Sequence, residues 1–191
     1  MGPWLTRANA LTLLRLLAAP ALGVAIVQGA ALPAAALFLL AVATDFADGY
    51  VARRYGEASR LGGTLDHAVD ASFVAAGTAA LAWTGALPFW LPLLIGIAFL
   101  HYALDPLRGE AGALRPSALG RWNGIAYYVI VGIPVIRDAL GIAWPGAALV
   151  WVLGWLLVAS TLVSIADRLR VSRARRARGW RDAGRADRSP R

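Results

Sequence analysis

Six apolar stretches, at residues 9–28, 32–51, 63–84, 90–104, 122–136 and 144–165, leave this chain few ways to fold. Most approach the ~20 residues a helix needs to cross a hydrocarbon core about 30 Å thick; the fourth and fifth are shorter. Lipid offers no partner for a backbone N–H or C=O, so a run of this kind reads as a helix. The hydrophobic share is 59% of 191 residues and the mean hydropathy +0.59, more apolar surface than one soluble core of this size needs. The expected fold class is all-α: a polytopic membrane protein with six transmembrane helices. A secretory signal peptide competes for the first run, but Arg15 interrupts its apolar core too early, and a retained helix is the better reading.

Charge placement orients the helices. All nineteen basic residues of the lysine and arginine class are arginine. They fall at the N-terminus, in the 53–60 and 105–121 connectors and in the tail. The connectors near 29–31 and 85–89 carry none, and that at 137–143 carries Arg137 alone. The positive-inside rule then puts both termini in the cytoplasm, with Arg137 as a mild exception. Two units follow: a membrane domain at residues 1–170 and a basic cytoplasmic tail at 171–191, expected to be helical at first and then partly disordered. The net charge of +8 is concentrated in that tail, which suits anionic lipid headgroups. Nucleic acid is not expected as a partner, because Trp180 is the tail's only aromatic platform. With no cysteine and no lysine, thiolate metal sites, cysteine nucleophiles and Schiff-base chemistry are excluded.

Against this apolar background stand four acids. Asp45, Asp48, Gly49 and Ala52 share a narrow arc of the second helix, and Gly62, Asp66 and Asp70 form an i, i+4, i+8 stripe on the third. The topology puts both stripes at the cytosolic ends of their spans. A carboxylate at mid-bilayer costs about 2.5–3.5 kcal/mol on insertion scales, less near the interface. Four of them must be neutralised. Arg53, Arg54 and Arg60 are the arginines near in sequence, and connector arginines face solvent or headgroups. Oxygen ligands from two helices suit Mg²⁺ or Mn²⁺ with open positions for phosphate and water. Glycine at 49 and 62 lets a ligand approach the backbone. A proton relay or ion pathway uses such acids too, so a cation transporter stays open as the alternative.

The pattern Asp45-x2-Asp48-Gly49-x2-Ala52-Arg53-x8-Gly62-x3-Asp66-x3-Asp70 resembles the full signature of the CDP-alcohol phosphatidyltransferase family. Asn9, Thr12, Arg15 and Pro20 are similar to that family's first helix, so the likeness covers roughly residues 9–75. The resemblance implies an enzyme that moves a phosphatidyl group from CDP-diacylglycerol to a hydroxyl acceptor and releases CMP. By position, Asp45, Asp48, Asp66 and Asp70 would hold two divalent cations, with Asp70 as general base. Gly49, Ala52, Arg53 and Gly62 would shape the nucleotide side, with Asn9 and Thr12 close to the CDP moiety. It further implies a bacterial inner-membrane protein, a cytoplasm-facing site and a homodimer.

The six spans and chain length are similar to the phosphatidylglycerophosphate synthase branch, which implies glycerol 3-phosphate as acceptor. His67 and Ala71 stand where that branch commonly has proline and lysine, and span four lacks its Arg-Glu pair. Inositol phosphate, serine or another alcohol therefore remains open. Arg108, Arg115 and Arg121 share the cytosolic face and are the candidates for an acceptor phosphate. His67, one residue off the acid stripe, is expected to point away from it. Arg15 is expected either to contact phosphate or to snorkel to headgroups.

Overall fold

The computed structural model describes residues 7–55, 60–104 and 118–186, with side chains at 10–48, 50, 51, 54, 55, 62–100 and 118–171. Six helices follow in order: α1 Arg7–Val27, α2 Ala31–Tyr55, α3 Arg60–Trp83, α4 Trp90–Leu104, α5 Ala118–Ala139 and α6 Ala147–Ala186. Among the described residues there is no strand, as the expected all-α class requires. Among the described residues four helices are long and apolar enough to cross a membrane: α1, α2, α5 and α6. At 15 residues, α4 spans about 22 Å, short of a full hydrocarbon core.

Several boundaries differ from the sequence reading. Helix α2 continues through Arg53 and Arg54 to Tyr55, and α3 starts at Arg60, so most of the charged connector is helical. The last residues of the 105–121 connector belong to α5, and α6 starts at Ala147 rather than at Trp144. At α2 and α3 hydropathy misplaces the ends because arginine is a good helix former that an apolar count treats as a break, and before α6 it counts Trp144 although Pro145 and Gly146 follow. Helix α6 runs on through the basic segment to Ala186.

Three helices end in the same way. At the end of α1, Gly29 adopts φ 67°, its N–H bonds Ile26 O at 3.0 Å, and Ala30 N–H bonds Ala25 O at 2.9 Å. This is the Schellman arrangement, which needs a left-handed residue after the helix and so favours glycine. Gly85 and Gly141 repeat it after α3 and α5, so every odd-numbered helix that leads away from the acid cluster closes with one device. Arg137 stays at this end of α5, bonded to Asp138 Oδ1 at 2.7 Å and to the Pro145 carbonyl at 3.1 Å. Its charge is compensated locally.

Helix α1 packs along both α2 and α3, while α5 packs against α2, α3 and α6, and α4 against α3 and α6. The core runs through Leu22, Phe73, Leu91, Val131 and Val150. Two glycines let α5 come close. A Cβ at Gly132 would lie 2.6 Å from Phe38 Cζ, and one at Gly77 would lie 2.9 Å from Val131 Cγ1. Small residues at contact points are how helices pack where lipid removes the hydrophobic drive between them. Outward faces carry Leu17, Leu39, Val129, Trp144 and Leu156, all exposed, together with Trp83 and Trp90 near helix ends. Such a surface belongs against hydrocarbon and its interfaces, not water.

Candidate active site

The four aspartates meet at one point. Asp45 and Asp48, three residues apart, stand on one side of α2, and Asp66 and Asp70, four apart, on one side of α3. Between the helices that bear them lies α1, and from α1 a single side chain reaches all four. Arg15 Nη1 approaches Asp45 Oδ1 at 3.2 Å, Asp66 Oδ1 at 3.0 Å and Asp70 Oδ1, and Nη2 approaches Asp48 Oδ2 at 2.5 Å. Arg15 is fully buried, Asp48 nearly so, and the other three acids are partly open. One guanidinium therefore serves four carboxylates and leaves three negative charges uncompensated by it.

This corrects the expectation that only connector arginines lie near enough to the acids. Arg54 is exposed, and the side chains of Arg53 and Arg60 lie outside the described residues. Proximity along the chain is the wrong measure in a bundle, where a helix 30 residues away can be the nearest neighbour. Nor does Arg15 snorkel: its side chain turns into the protein because four carboxylates lower its energy there more than headgroups can at the surface.

Tyr128 on α5 was not singled out by the sequence either. Its hydroxyl donates to Asp70 Oδ1 at 2.9 Å, and its ring stacks on Phe73 with centroids 5.9 Å apart and an interplanar angle of 17°. Phe73 in turn packs on Phe38 at 6.5 Å. Rings from three helices thus stack beside the acid cluster, and the last of them holds one donor to Asp70. Tyr128 and Asp70 stand 58 positions apart, and nothing in the sequence signalled this pairing.

The carboxylates fit divalent ions in kind and in spacing. One oxygen each from Asp45, Asp48 and Asp66 lies within 4.8 Å of the others, and the same holds for ligand atoms of Asp66, His67 and Asp70. His67 is exposed, yet its ring stays in reach of the cluster, closer than its helical position suggested. Hard oxygen donors with surplus negative charge suit Mg²⁺ or Mn²⁺. Thr12 is buried on α1 one turn from Arg15, and Gly62 is half-buried one turn before Asp66. The side chains of Asn9 and Ala52, and the surroundings of Gly49, lie outside the described residues, as do Arg108 and Arg115. Arg121 is exposed in the first turn of α5.

Beside the cluster a cavity of about 670 Å³ runs between α2 and α5. Asp45 and Tyr128 stand on its wall together with Phe38, Val42, Val129 and Ile133, and Arg137 and Trp144 also line it. Its wall is mostly apolar, with Asp45, Tyr128 and Arg137 as the polar side chains.

Comparison with known proteins places the chain in a family. The pattern of the CDP-alcohol phosphatidyltransferase family matches residues 5–169. The chain is similar to a CDP-diacylglycerol--glycerol-3-phosphate 3-phosphatidyltransferase of Cereibacter sphaeroides, 32% identical over 141 residues, covering 69% of this chain and 64% of that protein. It is similar to a probable phosphatidylglycerophosphate synthase of Mycobacterium tuberculosis, 37% identical over 140 residues, covering 68% of this chain and 65% of that one. A cardiolipin synthase (CMP-forming) of Streptomyces coelicolor is 31% identical over 124 residues, 63% of this chain and 57% of the relative. The matches thus span a little under two thirds of the relatives' own length. No solved structure matches the chain. With the family pattern extending over nearly all of α1 to α6, the chain belongs to the CDP-alcohol phosphatidyltransferase family.

Proposed function

We propose that this protein is a phospholipid-synthesising transferase that moves a phosphatidyl group from CDP-diacylglycerol to glycerol 3-phosphate and releases CMP. The observation that carries the reading is the junction at Asp45, where a cluster of four carboxylates opens onto an apolar cavity. A substrate with an anionic headgroup and hydrocarbon tails needs both chemistries side by side. The acceptor rests on the relatives, two of which bear names built on glycerol 3-phosphate or on phosphatidylglycerophosphate.

In this reading Asp45, Asp48, Asp66 and Asp70 hold a pair of Mg²⁺ or Mn²⁺ ions. Such ions supply charge stabilisation on a diphosphate, the main requirement of transfer at phosphorus. The chain's own groups do the rest. Asp70 takes the proton of the acceptor hydroxyl, whose oxygen forms the new bond to the lipid phosphorus as the bond to CMP breaks. Tyr128 fixes one oxygen of Asp70, leaving the other for that proton. Gly49, Ala52, Arg53, Gly62, Asn9 and Thr12 line the CDP side, and Arg108, Arg115 and Arg121 attract the acceptor phosphate. The site faces the cytoplasm of a bacterial inner membrane crossed by six spans.

CMP release from CDP-diacylglycerol with Mg²⁺ or Mn²⁺ tests the proposal. Glycerol 3-phosphate is expected to support it. Release with phosphatidylglycerol alone would move the assignment to the CMP-forming cardiolipin synthase reaction, which the Streptomyces relative's name raises as a second reading. No release with any alcohol from folded protein, together with cation flux in proteoliposomes, would replace the enzyme with a transporter.

A further inference from the structure

The mechanism above assigns no task to Arg15, the one large side chain at the centre of the acid cluster. We propose that Arg15 is a tethered cation that holds the four carboxylates together before divalent ions arrive, competes with those ions, and withdraws as they bind. The inference rests on the reading that the four aspartates bind divalent ions.

Three observations support it. The first is position. Nη1 bears two hydrogens yet lies within 3.2 Å of carboxylate oxygens from Asp45, Asp66 and Asp70 on two helices. More acceptors than donors converge there, so the arrangement is an ion in a cage of oxygens, the coordination a divalent cation would take. An Nη1 at that point and a metal at that point exclude each other. The second is charge. One guanidinium against four carboxylates leaves a net three negative charges in a site where Arg15 is fully buried and Asp48 nearly so. Arginine makes the cluster tolerable to a folding chain, but it does not neutralise it. The third is incomplete bonding. Arg15 Nε is buried and has no hydrogen-bond partner among the described residues. The cage satisfies the two Nη ends only, and a donor edge is left for an anionic oxygen. Arginine does not lose its proton in proteins, so only movement can free the cage.

Such a device separates folding from metal supply. The acid helices α2 and α3 assemble around α1 without waiting for ions, and ion entry then pushes the guanidinium aside.

Mn²⁺ binding to the full chain in nanodiscs, followed by electron paramagnetic resonance of free Mn²⁺, tests this for wild type, Arg15→Gln and Arg15→Lys. Arg15→Gln is expected to bind Mn²⁺ at least ten times more tightly than wild type. Its melting temperature in EDTA should fall, and Mn²⁺ should restore it. Arg15→Lys, which keeps the charge on a shorter reach, should lie between. Equal or weaker Mn²⁺ binding by Arg15→Gln overturns the inference while the metal reading stands. No Mn²⁺ binding by either protein overturns both. Should Arg15→Gln fail to fold, the wild type still decides. Infrared difference spectra with isotope-labelled arginine are expected to show guanidinium bands that shift on Mn²⁺ addition, and unshifted bands count against displacement.

Discussion

Asp70 is bonded by two different kinds of donor, the Arg15 guanidinium and the Tyr128 hydroxyl, both on Oδ1. Its other oxygen has no such duty, which is the geometry a proton acceptor needs. Asp70→Asn keeps the shape and removes the basicity. It is expected to lower kcat on the order of 10²–10⁴-fold while part of the Mn²⁺ binding survives. Unchanged CMP release would remove Asp70 from the role of base. Tyr128→Phe keeps the stack on Phe73 and loses one hydrogen bond of about 1–1.5 kcal/mol, so kcat should fall about tenfold with KM for both substrates held. A change confined to KM would instead make Tyr128 a substrate contact. Arg15 and Tyr128 reach Asp70 from 55 and 58 residues away. The four aspartates were legible because each pair falls on one side of its own helix, three apart on α2 and four apart on α3, whereas no local pattern pairs them with Arg15 or Tyr128.

At the scale of helices, the close approach of α5 to α2 sets where Tyr128 meets the acids. Gly132 makes that approach, and a Cβ there would lie 2.6 Å from Phe38 Cζ and 2.8 Å from its Cε1. Gly132→Ala should destabilise the protein by about 1–3 kcal/mol in detergent, the usual cost of overpacking. Phe38→Leu in the same chain should recover part of the loss, which a thermal-unfolding cycle of the four variants would measure. The α2–α5 cavity offers a separate check. Val129 lies on its wall with half its surface exposed. Val129→Trp fills apolar space without touching the acids, so KM for CDP-diacylglycerol should rise several-fold with Mn²⁺ binding unchanged. A lower kcat at unchanged KM would mean that the cavity does not hold the lipid tails.

Across the whole molecule, the Schellman-capped ends of α1, α3 and α5 lie away from the acid cluster. The absence of native cysteine makes this polarity measurable, because any introduced thiol is unique. Thr84 and Arg54 are both exposed, one beside the α3–α4 turn and one at the end of α2. An impermeant maleimide is expected to label Thr84→Cys in intact spheroplasts and Arg54→Cys only after permeabilisation. The reverse pattern would turn the site outward, away from a cytosolic nucleotide lipid.

The sequence by itself determined what short-range chemistry encodes. Apolar run length pointed to an all-helical membrane protein, arginine placement set the orientation to be tested, and the periodicity of four aspartates with their glycines marked the candidate site. All of these depend on residues within a few helical turns of one another. Only the tertiary structure decided that α1 lies against both acid helices, that its buried Arg15 neutralises part of their charge, that Tyr128 steadies Asp70, and that an apolar cavity begins at Asp45. In each case the residues that meet stand on different helices, many turns apart in sequence. What selects it is the cost of leaving charge unpaired in a low-dielectric interior, a condition that exists only once the bundle has closed.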